Sequence, residues 1–151
     1  MDLPMNEMPV QYTVDELLPH KGRMVLLDEI LNWDANSLTA SVCVGSNGLF
    51  VDKQNSVPAW VGIEYMAQTI AAWAGTKALQ IGNPVRPGFL LGTRKYKYVA
   101  RTESFKCLEE LVVFVEQKYH NNEMSAFDCL IKANDGGVIA TASLSVYQPE
   151  S

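Results

Sequence analysis

The sequence is poor in the side chains on which most chemistry rests: its 151 residues include two histidines and three cysteines. Cys43, Cys107 and Cys129 are far apart, odd in number and without CxxC spacing, which fits neither a disulfide framework nor a zinc site. They read as reduced, core-type thiols. A basic excess is also missing. Twelve lysines and arginines against seventeen acids leave a net charge of -5, so the totals imply no face for a phosphate backbone, and no nucleic-acid partner is expected. Met1 to Val10 shows neither a basic n-region nor an apolar h-region, so no targeting segment is expected and the cytoplasm is the default location. No linker rich in Pro, Gly or Ser divides the chain and no internal repeat is visible, so residues 1–151 read as one domain. With 48% hydrophobic residues, that domain can build a core of its own.

What stands out is an apolar run. Val57 to Thr76 is twenty residues long, and Glu64 is its only charge. The length alone suits a membrane span. Tyr65, Gln68, Thr69 and the interruptions Pro58, Gly62 and Gly75 dilute it, and polar, strand-like segments follow, so no span is expected. Ser56 suits a cap, Pro58 a first helical turn, and Gly82 with Pro84 a stop, which predicts one helix from about Pro58 to Gln80. It is apolar nearly all round, as in a helix buried on most sides.

The rest of the chain has period two. Thr13 to Glu16 predicts a cap and the first turn of a short helix that ends at Pro19. Met24 to Trp33 and Leu38 to Val44 predict a strand hairpin, with Leu38, Ala40, Val42 and Val44 on one face. Gly45 to Ser56 reads as a loop in which Leu49, Phe50 and Val51 pack inward. Gly88 to Val99, Glu110 to Tyr119, Met124 to Ala133 and Val138 to Tyr147 predict four more strands, with turns at Asn121-Asn122 and Asp135-Gly136-Gly137. The fold class is therefore α+β: about six antiparallel strands wrapped around one long central helix. Such a sheet has open edges, and pairing in a homodimer is the expected way to cover them.

Two segments resemble a known family. Leu17-Leu18-Pro19-His20-Lys21-Gly22-Arg23-Met24-Val25-Leu26-Leu27-Asp28, and then Val57-Pro58-Ala59-Trp60-Val61-Gly62-Ile63-Glu64-Tyr65-Met66-Ala67-Gln68, look like the hotdog-fold 3-hydroxyacyl-acyl-carrier-protein dehydratases. The likeness extends over nearly the whole chain, including Gly88 to Gly92. The wording from Trp60 to Thr69 is most similar to the dehydratases of aryl polyene lipid clusters. The resemblance implies a sheet wrapped around a central helix and a dimer with active sites at the subunit interface. It implies an acyl carrier protein or coenzyme A thioester as substrate partner, and no metal or redox cofactor. The family also carries a Gly-His-Phe-Pro element whose histidine is the base. Here that position falls on Phe50, which moves the second catalytic role to another residue.

Glu64 is the strongest site candidate. An ionised carboxylate alone among apolar residues is costly to bury, so it must face water, a partner or a substrate. Apolar surroundings suit a general acid, and the plainer alternative is a solvated helix face. His20 is the only histidine near a motif and has the right chemistry for a base. In the family the equivalent histidine seats the loop after the first helix. Gln68, one turn after Glu64, can position Glu64 or a substrate oxygen, or be a satisfied amide. The backbone N–H groups at Trp60 and Val61 could hold a thioester oxygen as it gains charge. Trp60, Tyr65, Trp73 and Phe50 fit an acyl tunnel or ordinary core. Arg86, Arg94, Lys95 and Lys97 fit an acidic carrier protein or a solvated strand face. His120 reads as exposed in a hairpin turn.

Three activities remain open on this reading. The first is dehydration of a 3-hydroxyacyl thioester, with Glu64 protonating the leaving hydroxyl. Another is thioester hydrolysis with one helix carboxylate. The third is a non-catalytic subunit that supports a true dehydratase, with which it would form a heteromer.

Overall fold

The computed structural model describes residues 11–99 and 104–148. The segment read for targeting signals, residues 1–10, lies outside the described residues. A short helix, α1 (Val14–Leu17), leads through a 3-10 turn (Gly22–Met24) to β1 (Glu29–Trp33) and β2 (Ser37–Cys43). β3 (Ser56–Pro58) precedes the long helix α2 (Val61–Gln80). Then follow β4 (Phe89–Tyr98), β5 (Ser104–Lys106), β6 (Glu110–Asn121), β7 (Met124–Ala133) and β8 (Val138–Tyr147).

Six strands form one antiparallel sheet in the order β1-β2-β6-β7-β8-β4, while β3 pairs with β5 apart from it. Alternation fixes the inner face. Leu38, Ala40 and Val42 of β2 lie opposite Val115, Val113 and Leu111 of β6. Val113 and Val115 in turn face Ile131 and Cys129 of β7, and those face Ala140 and Ala142 of β8. All of these residues are buried. Register shifts interrupt the ladders in β1, β4 and β6, and such bulges increase the local bend and twist of a strand. α2 packs across this inner face, burying Val61, Tyr65, Met66, Ile70 and Ala72. At about 1.5 Å per residue it is roughly 30 Å long.

α1 needs no length of its own to be stable, because it is capped and pinned. Glu16 N–H donates to the Thr13 hydroxyl at 3.3 Å, and Thr13 N–H donates to the Glu16 carboxylate at 2.8 Å, a reciprocal capping box. It crosses α2 at Gly75, where a Cβ would collide with the Leu17 carbonyl oxygen and lie 3.1 Å from the Leu17 carbonyl carbon and Cα. Only a glycine lets the two backbones approach this closely.

Three expectations are corrected. The central helix starts at Val61, not Pro58: Ser56, Val57 and Pro58 pair instead with Lys106, Phe105 and Ser104. Val57, held extended by the proline that follows it, is buried there with Phe105. The first strand starts at Glu29, since Met24, Val25 and Leu26 give backbone groups to side chains of Asn47 and Gln68 rather than to a ladder. The tight turn between β6 and β7 is displaced by one residue, with Asn122 in the left-handed region at φ 58°. Among the described residues no helix is long and apolar enough to cross a membrane.

Candidate active site

The chain leaving α1 returns along α2 toward the helix's first turns. This brings His20 to Glu64: His20 Nε2 lies 3.9 Å from Glu64 Oε2 within one chain. The separation is too long for a hydrogen bond, and both side chains are only partly covered, at 26% and 38% exposure. His20 Nδ1, in contrast, is buried without a hydrogen-bond partner.

Gln68 holds this arrangement. Its Nε2 donates to the Met24 carbonyl at 2.7 Å and to Glu64 Oε2 at 3.2 Å, and its Oε1 accepts from Leu26 N–H at 2.9 Å. The amide is fully buried. One side chain thus ties the acid's carboxylate to the backbone of the segment that carries His20. Asn47 ties the same segment from the other side, donating to the carbonyls of Arg23 at 2.8 Å and Val25 at 3.1 Å.

His20 and Glu64 open onto a cavity of about 420 Å³. α2 supplies Ala67, Ile70, Ala71, Trp73 and Ala74 to its wall, β4 supplies Leu90, and Gly88 lines it just before β4. The far wall is Glu123, Ser125 and Phe127 of the β6–β7 hairpin, with Val146 and Gln148. The lining is mostly apolar with a few polar groups, His20, Glu64, Glu123, Ser125 and Gln148, the form expected of a small-molecule site.

The other proposed site residues lie elsewhere. Phe50, in the left-handed region at φ 67°, stacks edge-on against Trp60 with centroids 5.4 Å apart, and neither lines the cavity. Val61 is buried. At this end of α2, Gly62 N–H donates to the Ala59 carbonyl at 3.0 Å and Ile63 N–H to the Trp60 carbonyl at 3.1 Å. The turn before α2 is further held by Tyr96, whose hydroxyl donates to the Ala59 carbonyl at 2.6 Å; burial pushes that phenol up to about 12. Tyr65 is buried against Phe105, with ring centroids 5.5 Å apart. Lys95 and Lys97 lie on a bulged stretch of β4 near Asp128 and Ser143. His120 is exposed, and its Nδ1 lies 2.9 Å from the Ser125 hydroxyl. Sequence reasoning missed Ser125 and Phe127, although their i, i+2 spacing on one strand already placed them on a common face.

No curated protein sequence matches the chain. Among solved structures, the dehydratase heterocomplex ApeI:P from Xenorhabdus doucetiae is similar over 94% of both chains, with 28% identity and a TM-score of 0.85. The E. coli PaaI protein of the phenylacetic acid degradation operon shares the fold at 8% identity and a TM-score of 0.61, over 79% of this chain and 81% of that one. A hypothetical thioesterase with coenzyme A from Streptococcus pneumoniae does so at 14% identity and 0.58, over 79% and 83%. The fold is the hotdog. The ApeP-like family, described as ApeP dehydratase, matches residues 12–151, and with that extent of agreement the chain belongs to the ApeP-like dehydratase family.

Proposed function

We propose that this chain removes water from a 3-hydroxyacyl thioester carried on acyl carrier protein, giving the trans-2-enoyl thioester, in the assembly of an aryl polyene type lipid. The observation that carries the reading is the meeting of His20 and Glu64 in one chain, 3.9 Å apart in the wall of a mostly apolar cavity. Family membership and the ApeI:P neighbour support it.

His20 Nε2 takes the α-proton, with its own ring proton on Nδ1. The C–H electron pair becomes the Cα–Cβ double bond, the Cβ–O bond breaks, and the hydroxyl takes the Glu64 proton and leaves as water. Gln68 donates to Glu64 Oε2, which favours the acid's proton on Oε1, the oxygen left for the substrate. Afterwards His20 holds a proton that Glu64 lacks, and exchange with solvent at these partly exposed side chains restores both. Elimination by this route needs no metal or redox cofactor. The unit that acts is residues 1–151 as one domain, paired with a second hotdog chain.

A second reading is a non-catalytic partner subunit, favoured by the heterocomplex state of the ApeI:P neighbour. The test is to incubate the chain with a 3-hydroxyacyl carrier-protein thioester, alone and with a second hotdog subunit, following enoyl product and free thiol. Enoyl product without free thiol is expected. Free thiol without enoyl product means hydrolysis, and a rate that depends only on the second subunit's own acid and base means the partner role.

A further inference from the structure

A second cavity, of about 560 Å³, adjoins the first. The two share Trp73, Ala74, Glu123, Ser125 and Gln148 in their walls, and Trp73 is by far the bulkiest of these. Four of the α2 residues that line the two cavities with it are alanines, Ala67, Ala71 and Ala74 on the first and Ala74 and Ala78 on the second. Both spaces are lined mainly by apolar surface. Ile70, Leu90 and Val146 belong to the first alone, and Ala35, Ala78 and Ile81 to the second alone.

The indole is held by its faces and edges alone. It meets Phe127 edge-on at 5.2 Å between centroids, and the Lys77 ammonium lies 5.5 Å from its centroid. Its N–H is buried without a hydrogen-bond partner. Nothing polar therefore requires a tryptophan here, and what the side chain contributes is bulk between two spaces.

We propose that Trp73 is the end stop that sets how long an acyl chain the first cavity accepts, so that chain-length preference resides in this side chain and the chemistry in His20 and Glu64. The proposal deepens the dehydratase reading and rests on it only for the nature of the ligand. Removing the indole joins the first cavity to the second, and a longer chain then has somewhere to go.

The test uses S-butyl, S-octyl and S-dodecyl coenzyme A, thioethers that can be neither dehydrated nor hydrolysed, with binding measured by calorimetry. Each newly buried methylene is worth about fourfold in affinity. Trp73→Ala should therefore bind the dodecyl probe at least about tenfold tighter than wild type, with the butyl probe unchanged within about threefold. Trp73→Phe, which keeps a ring against Phe127, should shift in the same direction by less. Ala71→Leu, which fills the first cavity alone, should weaken the octyl probe by at least about tenfold while sparing butyl, and it supplies the answer if Trp73→Ala does not fold. An unchanged order of preference in these variants, or wild-type binding that ignores chain length, overturns the proposal. Parallel turnover of 3-hydroxyacyl carrier-protein thioesters separates the two readings. A length shift without any enoyl product leaves the end stop standing and removes the dehydratase, and turnover without a shift does the reverse.

Discussion

Replacing Gly75 by alanine sets two opposed effects against each other in the middle of α2. Alanine is the better helix former by about 1 kcal/mol, which alone would stabilise the protein. The new Cβ, however, meets the Leu17 carbonyl oxygen, carbonyl carbon and Cα, all of them backbone atoms that cannot rotate away. Overpacking of this kind costs about 1–3 kcal/mol and more where no side chain can yield. Leu17 and Leu18 are themselves buried, at 0% and 2% exposure, so moving α1 aside uncovers core. The clash wins, with a net loss of up to about 2 kcal/mol and a melting temperature lower by up to about 8 °C. Thermal and urea denaturation followed by circular dichroism would measure it. Gly92→Ala is the control, since a Cβ there meets nothing within 4 Å and its effect should stay within about 0.5 kcal/mol. Because α1 leads directly into Pro19 and His20, Gly75→Ala should also lower turnover. A Gly75→Ala protein more stable than wild type would refute the close crossing of α1 over α2, and with it the means by which His20 is placed.

Other consequences can be measured in the same way. Gln68→Met strips partners from the Met24 carbonyl and Leu26 N–H; a loss of about 1–3 kcal/mol in urea titration is expected, with kcat falling more than KM. Burial raises the Cys129 thiol from its usual 9.0 to about 12 and the Tyr96 phenol from 10.0 to about 12. Both groups keep their protons to higher pH in the folded protein than in the unfolded one. Their contribution to stability is therefore complete below about pH 9 and is lost as pH rises toward about 12. Denaturation midpoints should fall over that range, and Tyr96→Phe should fall less steeply, whereas a midpoint flat from pH 9 to about 12 would contradict the burial of both groups.

Much of the fold could be read in the sequence because its signals were long and periodic. β7 and β8 have the bounds that alternation predicts, and the inward face of β2 is the one expected from Leu38, Ala40, Val42 and Val44. β3 and β5, at three residues each, are too short for a period to register, and they displaced the start of the central helix. Glu64 stood out because a charge is rare in so apolar a helix. The rest of the site is non-local. His20 reaches Glu64 only because Gly75 lets α1 cross α2 and Gln68 fastens the returning chain, relations between residues up to 58 positions apart. Trp73 read more readily as ordinary core than as tunnel lining, and only the two adjoining cavities set it apart.

The central claim is that His20 and Glu64 of the same chain act as base and acid. It is tested most directly by the rate of enoyl formation from a 3-hydroxyacyl carrier-protein thioester with the wild-type chain, His20→Gln and Glu64→Gln, each with any partner subunit present. Each substitution alters a partly exposed side chain, so both variants should melt within a few degrees of wild type. The expected result is a loss of at least about 100-fold in kcat for each variant. A His20→Gln chain that turns over at the wild-type rate would contradict the claim.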